Sequence, residues 1–204
     1  KTASKNRRER QKAETRQAIM DAASELFLEK GYKNFSLRQV AEQIGYSPGT
    51  IYLYFSDRDT LLFTLAEEGF QRFGQTLQAA VDSSDDPRKQ ITAMGEGYVR
   101  FGLENPAHYR LMFMERPDFM VREPAHTEDG DTWADSFMIL HNCVERAIEA
   151  DVLQEKNPRT ASDALWAMLH GVVALGIQMP NFDTDRTLDA ASKIREVIGR
   201  GMLT

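Results

Sequence analysis

The chain has 204 residues, a formal net charge of −6 and 42% hydrophobic side chains, enough for one large domain or for a small head joined to a larger body. Its single cysteine, Cys143, excludes an intrachain disulfide, and its four histidines show no metal-ligand spacing, so no metal is expected. No apolar run approaches the roughly 18 to 20 residues that span a bilayer, and no hydrophobic signal core follows the charged N-terminus, so the expected location is the cytoplasm.

Residues 1–58 carry 11 Lys and Arg against 7 Asp and Glu, whereas the remainder carries 14 against 24. A basic N-terminal part can therefore approach an anionic partner that the acidic total would repel. Lys1, Lys5, Arg7, Arg8, Arg10, Lys12 and Arg16 crowd its first 16 residues, as a solvated arm or as a phosphate-seeking one.

Along the chain, Ile19, Ala22, Ala23, Leu26 and Phe27 share one face of a helix that Gly31 ends. Ser36 is suited to cap a helix over 37–44, Gly45 to turn the chain, and Ser47-Pro48 to open a second short helix with a cap and a first-turn proline. Ser56 is read as the cap of a long helix over 57–81, whose apolar side holds Leu61, Leu62, Leu65, Phe73 and Leu77. Further helices are expected over 87–104, 106–115, 131–151, 158–179 and 185–201, with Asn157-Pro158 opening the fourth and Pro180 closing it. The Pro-, Asp- and Glu-rich stretch 116–131 reads as a long loop, and no alternating segment reads as a strand. The predicted fold is all-α, divided into a basic arm (1–14), a three-helix head (15–60) and a larger helical body (61–204).

The segment 37–55 meets the demands of a helix-turn-helix: small Ala41 where the helices cross, Gly45 at the turn, and apolar Ile51 inside the second helix. Val40, Ile44 and Phe55 would pack inward and leave Ser47, Gly49, Thr50, Tyr52, Leu53 and Tyr54 at the exposed end. Hydroxyls and the free N–H groups of a helix start suit phosphate oxygens, and a short helix end can reach base edges in a major groove. By spacing alone, two core helices joined by a glycine turn fit equally well.

Over residues 15–65 the sequence resembles the tetracycline-repressor (TetR) family of bacterial transcription regulators. The likeness is carried by Thr15-Arg16, Ala22-Ala23, Leu26-Phe27, Gly31-Tyr32, Phe35-Ser36, Val40-Ala41, Gly45-Tyr46-Ser47, Gly49-Thr50-Ile51-Tyr52, Tyr54-Phe55, Asp59 and Leu61-Leu62. It implies a DNA-binding head with Ser36, Arg38, Ser47, Gly49, Thr50, Tyr52 and Tyr54 in contact positions, and a phosphate contact from Arg58, where the family usually has Lys. It also implies a homodimeric repressor that holds a palindromic operator on double-stranded DNA and is released by a small apolar or amphipathic effector. Trp166 to Gly171 and Asn105 to Phe113 look like parts of one subgroup's C-terminal domain.

In the body, helix 158–179 is apolar on two faces, Leu165, Met168, Leu169 and Val172 on one and Trp166, Val173 and Ile177 on another. With Leu188, Ala191, Ile194, Val197 and Ile198 on helix 185–201 it could build a dimer interface through about 158–201, or simply pack within the chain. Candidates to line an effector pocket are Tyr98, Phe101, Tyr109, Met112, Phe113, Trp133, Phe137, His141, Trp166 and His170, with Asn142 as a further polar anchor. Each is alternatively a core residue, and His170 could join helices by a buried hydrogen bond. Gly95, Gly97 and Gly102 lack a preceding strand and a phosphate-binding lysine, so they read as close helix approach; no cofactor is expected. The chain is not expected to be an enzyme, since no nucleophile, base and orienting group stand in readable order. Two rivals remain: a helical enzyme acting on an apolar small molecule, and a DNA-binding dimer without an effector.

Overall fold

The computed structural model describes residues 2–120 and 133–201, with side chains described for 5–116, 118–119 and 134–196. Nine α-helices are assigned among the described residues, with no strand: α1 (Thr2–Asn34), α2 (Leu37–Gln43), α3 (Pro48–Tyr52), α4 (Arg58–Asp82), α5 (Pro87–Glu104), α6 (Pro106–Arg110), α7 (Trp133–Glu149), α8 (Pro158–Gln178) and α9 (Thr184–Gly201).

Local chemistry accounts for most of the boundaries. The Ser36, Ser47 and Asn157 side chains accept from the backbone N–H groups of Gln39, Thr50 and Thr160, as their cap positions require. At α4 the cap is Asp57 instead of Ser56: the Asp57 carboxylate takes the Thr60 N–H at 2.7 Å, and this backbone bond is the main reason its pKa lies below the usual carboxylate range. A carboxylate also answers the positive end of a 25-residue helix better than a hydroxyl does.

Three further expectations are corrected. The helix expected from residue 15 begins at Thr2, so the basic arm continues α1 as a helix, with Lys5–Glu9 and Arg10–Glu14 ion pairs along its exposed sides. The 106–115 helix divides into α6 and a π-helical turn, Leu111–Glu115, followed by a 3₁₀ turn, Pro117–Met120. The expectation that no stretch is long and apolar enough to cross a membrane fails for α8, which by length and composition could do so. In this fold, Leu165, Val172 and Val173 of α8 turn into the protein core. The rest of the 116–131 loop lies largely outside the described residues.

Helices α1 to α3 close over Ile19, Ala23, Phe27, Val40, Ala41 and Ile51, all fully buried. Helix α4 runs from this cluster into the rest of the protein, where it packs on α5 and α7, and α8 lies between α5, α7 and α9. Gly102 shows how closely α5 and α8 approach, because a Cβ there would overlap Val173 Cγ1. An aromatic core of Phe73, Tyr98, Phe101, Tyr109 and Phe113 joins α4, α5, α6 and the π turn through tilted and edge-to-face ring contacts.

Candidate nucleic-acid interface and ligand cavity

Gly45 turns the chain between α2 and α3 with φ +71°, a conformation an L side chain adopts only at a cost. The turn presents α3 end-on. Ser47, Gly49 and Tyr52 are exposed, as is Leu53 at 82%, whereas Ile51 and Phe55 anchor the motif from below at 0% and 2%. Of the other predicted contact residues, Thr50 is half-buried with its hydroxyl 2.9 Å from Ser47 Oγ. Arg38 is exposed and paired with Glu42 at 3.1 Å. Ser36 is half-buried in its capping role, and Tyr54 is half-buried against the core. The structure therefore leaves Arg38, Ser47, Gly49 and Tyr52 accessible.

Arg58 sits differently. Its guanidinium lies over the Tyr32 ring at 4.3 Å, donates to the Tyr32 carbonyl and hydroxyl at 3.2 and 2.9 Å, and pairs with Asp59 at 3.4 Å. Gly31, with φ +69°, turns the chain so that Tyr32 leaves the direction of α1. The Tyr32 hydroxyl donates to Asp59 at 2.8 Å and accepts a second guanidinium, that of Arg116, at 2.7 Å. Arg116 also pairs with Asp118 and stacks on Phe119, which meets Phe63 edge-on. Hydrogen bonding to Asp118 first, and nearby negative charge, hold the Arg116 pKa above even the usual guanidinium range. Nothing in the sequence pattern marked Arg116 as the partner of Tyr32, since 84 residues separate them.

In the remainder of the chain, α4, α5, α7, α8 and α9 line a partly open cavity of about 330 Å³. Tyr98, Phe137 and Trp166, three of the predicted lining residues, do line it, together with Phe73, Leu77 and Leu140. Phe101, Tyr109, Met112 and Phe113 are buried core residues away from its wall. His170 meets the Tyr109 hydroxyl through Nδ1 at 2.8 Å, and that hydroxyl is 2.8 Å from the Tyr98 hydroxyl, so the polar chain ends at the cavity wall. Burial lowers the His170 pKa and raises those of both tyrosines, which keeps all three groups neutral near pH 7. His141 lies 3.5 Å from Ser162 Oγ and Asn142 borders a separate polar groove with Arg146; the Trp133 side chain lies outside the described residues. Cys143 is buried, and burial pushes its thiol upward, away from the reactive thiolate.

Sequence reasoning missed Ser136, Ile91, Leu140 and Arg195 on the cavity wall. They are ordinary residue types on three separate helices, and only packing brings them together.

Two family descriptions match this sequence: bacterial regulatory proteins of the tetR family over residues 19–65, and the tetracyclin repressor-like C-terminal domain over residues 91–194. The chain belongs to the tetracycline-repressor family. An uncharacterized HTH-type transcriptional regulator from Haemophilus influenzae is 32% identical over 106 residues, a match that spans 52% of this chain and 52% of that protein. Among solved structures, the ketosteroid transcriptional regulator KstR2 of Mycobacterium tuberculosis superposes with a TM-score of 0.75 at 12% identity, covering 93% of this chain and 95% of the other. The fatty acid degradation regulator FadR from Bacillus halodurans gives 0.74 at 18% identity, covering 90% and 93%. At such identities the likeness is one of fold. It extends through the C-terminal helices, where the cavity of this TetR-family chain lies.

Proposed function

We propose that this chain is a cytoplasmic, homodimeric, sequence-specific DNA-binding repressor whose operator affinity is lowered by a small apolar or amphipathic effector. The observation that carries the reading is the exposed side of α3, where Ser47, Gly49 and Tyr52 stand above the buried anchors Ile51 and Phe55. Each protomer would set α3 into one of two successive major grooves of a pseudo-palindromic operator, roughly 34 to 36 Å apart. Ser36, Thr50 and Tyr54 support that surface, and Arg38 and Arg58 flank it. Arg58 commits three of its N–H groups within the chain, and a guanidinium has about five, so two remain for a phosphate.

Dimerisation is assigned to α8 and α9. Ala164, Ala167, Gly171 and Leu175 form an exposed stripe of small and apolar residues along α8, with exposed Met179 and Leu188 beside it. Such a face on the most apolar helix suits a second copy of the same helix pair. The effector is assigned to this cavity, and the fold shared with a ketosteroid transcriptional regulator and a fatty acid degradation regulator agrees with an apolar occupant. An effector can weaken operator binding only by its own preference for the released conformation.

A helical enzyme acting on the same ligand has less to support it. Ser136 would need a base beside it, and the two described histidines nearest the cavity are held by Ser162 and Tyr109. Selection from a random DNA pool by the purified dimer tests the proposal. An enriched inverted repeat supports it, and sequence-independent binding defeats it.

A further inference from the structure

The cavity wall holds a hydroxyl whose bonding capacity is unspent. Ser136, on α7, is 1% exposed, lines the cavity, and its Oγ has no hydrogen-bond partner among the described residues. A buried hydroxyl in that state costs stability that an occupant could recover. The other hydroxyls of the wall are engaged. The Tyr98 hydroxyl is shared with Tyr109, the Thr92 hydroxyl donates to the Arg88 carbonyl at 3.0 Å, and Ser192 takes a contact from Arg195.

The ionisable lining residues are Arg88, Glu96 and Arg195, all exposed, and Arg195 is ion-paired with Glu96. They form the mouth. Inside it the wall is apolar, and a carboxylate or ammonium carried there would lose its hydration without meeting an opposite charge.

We propose that the cavity takes an uncharged ligand with an apolar body and one ketone, ester or alcohol oxygen, the Ser136 side chain turning its buried Oγ to bond that oxygen and the body lying against Phe73, Leu77, Phe137 and Trp166. Serine both donates and accepts, so either a carbonyl or a hydroxyl satisfies it. The inference rests on the reading of this cavity as the effector site, but it concerns what binds and not what binding does to DNA.

The test uses the full-length protein carrying Trp133→Phe, which leaves Trp166 on the cavity wall as the sole indole of the chain. Its fluorescence is titrated with methyl octyl ketone, decane and decanoate at neutral pH. The ketone is expected to bind more tightly than decanoate, and Ser136→Ala to weaken the ketone about fivefold while leaving decane unchanged. Ser136→Ala is also expected to raise the melting temperature of the ligand-free protein, because it removes a buried hydroxyl without a partner; a structural role would lower it. Tightest binding by decanoate, lost in Arg88→Ala or Arg195→Ala, would overturn the proposal in favour of an anion read at the mouth. Failure of the ketone to bind, or indifference to Ser136→Ala, would overturn it as well. Operator binding is measured separately. A ketone that binds through Ser136 without weakening the operator complex upholds the ligand class and defeats the effector role.

Discussion

The proposed DNA-facing surface and the cavity are opposite solutions to the placing of polar groups. At α2 and α3, polar groups stay near water and are oriented by short-range bonds: Ser36 to Gln39, Ser47 to Thr50, Arg38 to Glu42. In the cavity an apolar wall assembled from five helices includes Ser136, whose hydroxyl has no hydrogen-bond partner among the described residues. The first arrangement survives loss of a side chain with its shape intact, because each group is held by its own helix. The second depends on packing between distant segments, and damage to one wall should be felt throughout. Helix α4 links them, with Arg58 and Asp59 in the Tyr32 cluster at its start and Phe73 and Leu77 on the cavity wall further along.

The largest expected effect lies on the cavity side. Phe73 is 1% exposed and touches Tyr98, Phe101 and Phe113, so Phe73→Ala should cost about 3 to 5 kcal/mol in urea unfolding. A loss under about 1 kcal/mol would show that the aromatic core is loosely packed. Tyr52→Ala probes the other side. Tyr52 is 57% exposed, so stability and the dimer should be unchanged while operator affinity falls about 5- to 150-fold, equivalent to roughly 1 to 3 kcal/mol. Dissociation into monomers would place Tyr52 in the wrong region.

Two smaller changes address the joint. Arg58→Ala should make the salt dependence of operator binding shallower by about one charge, with a stability loss of roughly 1 kcal/mol from the abandoned Tyr32 contacts. An unchanged salt slope would mean that Arg58 serves the Tyr32 cluster alone. Tyr32→Phe removes the hydroxyl that joins Arg58, Asp59 and Arg116, and should cost about 1 kcal/mol while altering the effector's influence on operator affinity. Equal coupling in the two proteins would show that the helices communicate by another route.

The smallest effect is a pH dependence. Burial holds the folded-state pKa of both His108 and His170 below the ordinary value near 6.5. The unfolded chain then binds more protons, so stability is full above about pH 6.5 and declines as the pH falls toward the folded values. Around His108, Glu68 and Asp21 oppose the burial effect and Arg72 adds to it. Replacing both histidines with glutamine should flatten the unfolding profile between about pH 7 and 5, and an unaltered profile would assign the dependence to other groups.

Legibility followed the range of the interactions. Caps at Ser36, Ser47 and Asn157 and the positive φ at Gly45 could be anticipated because each depends on residues within a turn. Ser56 against Asp57 was decided by which neighbouring side chain reaches the Thr60 N–H, a difference of one residue that pattern reading does not separate. In the body, apolar content was plain, but Phe101, Met112 and Phe113 share their residue types with Phe137 and Trp166, and only the packing divides core from cavity wall.

The sequence by itself determined the all-helical class, the helix-turn-helix with Ser47, Gly49, Tyr52 and Leu53 exposed, and the family, since these rest on local periodicity, capping and an ordered run of matching residues. The tertiary structure alone decided that Arg116 would clasp Tyr32 across 84 residues, that Tyr109 would connect Tyr98 to His170, and that Ser136 would border an apolar cavity. Each of these depends on contacts between helices far apart in the chain, whose approach is set by side-chain volume, as at Gly102 against Val173, and not by the periodicity of any one segment.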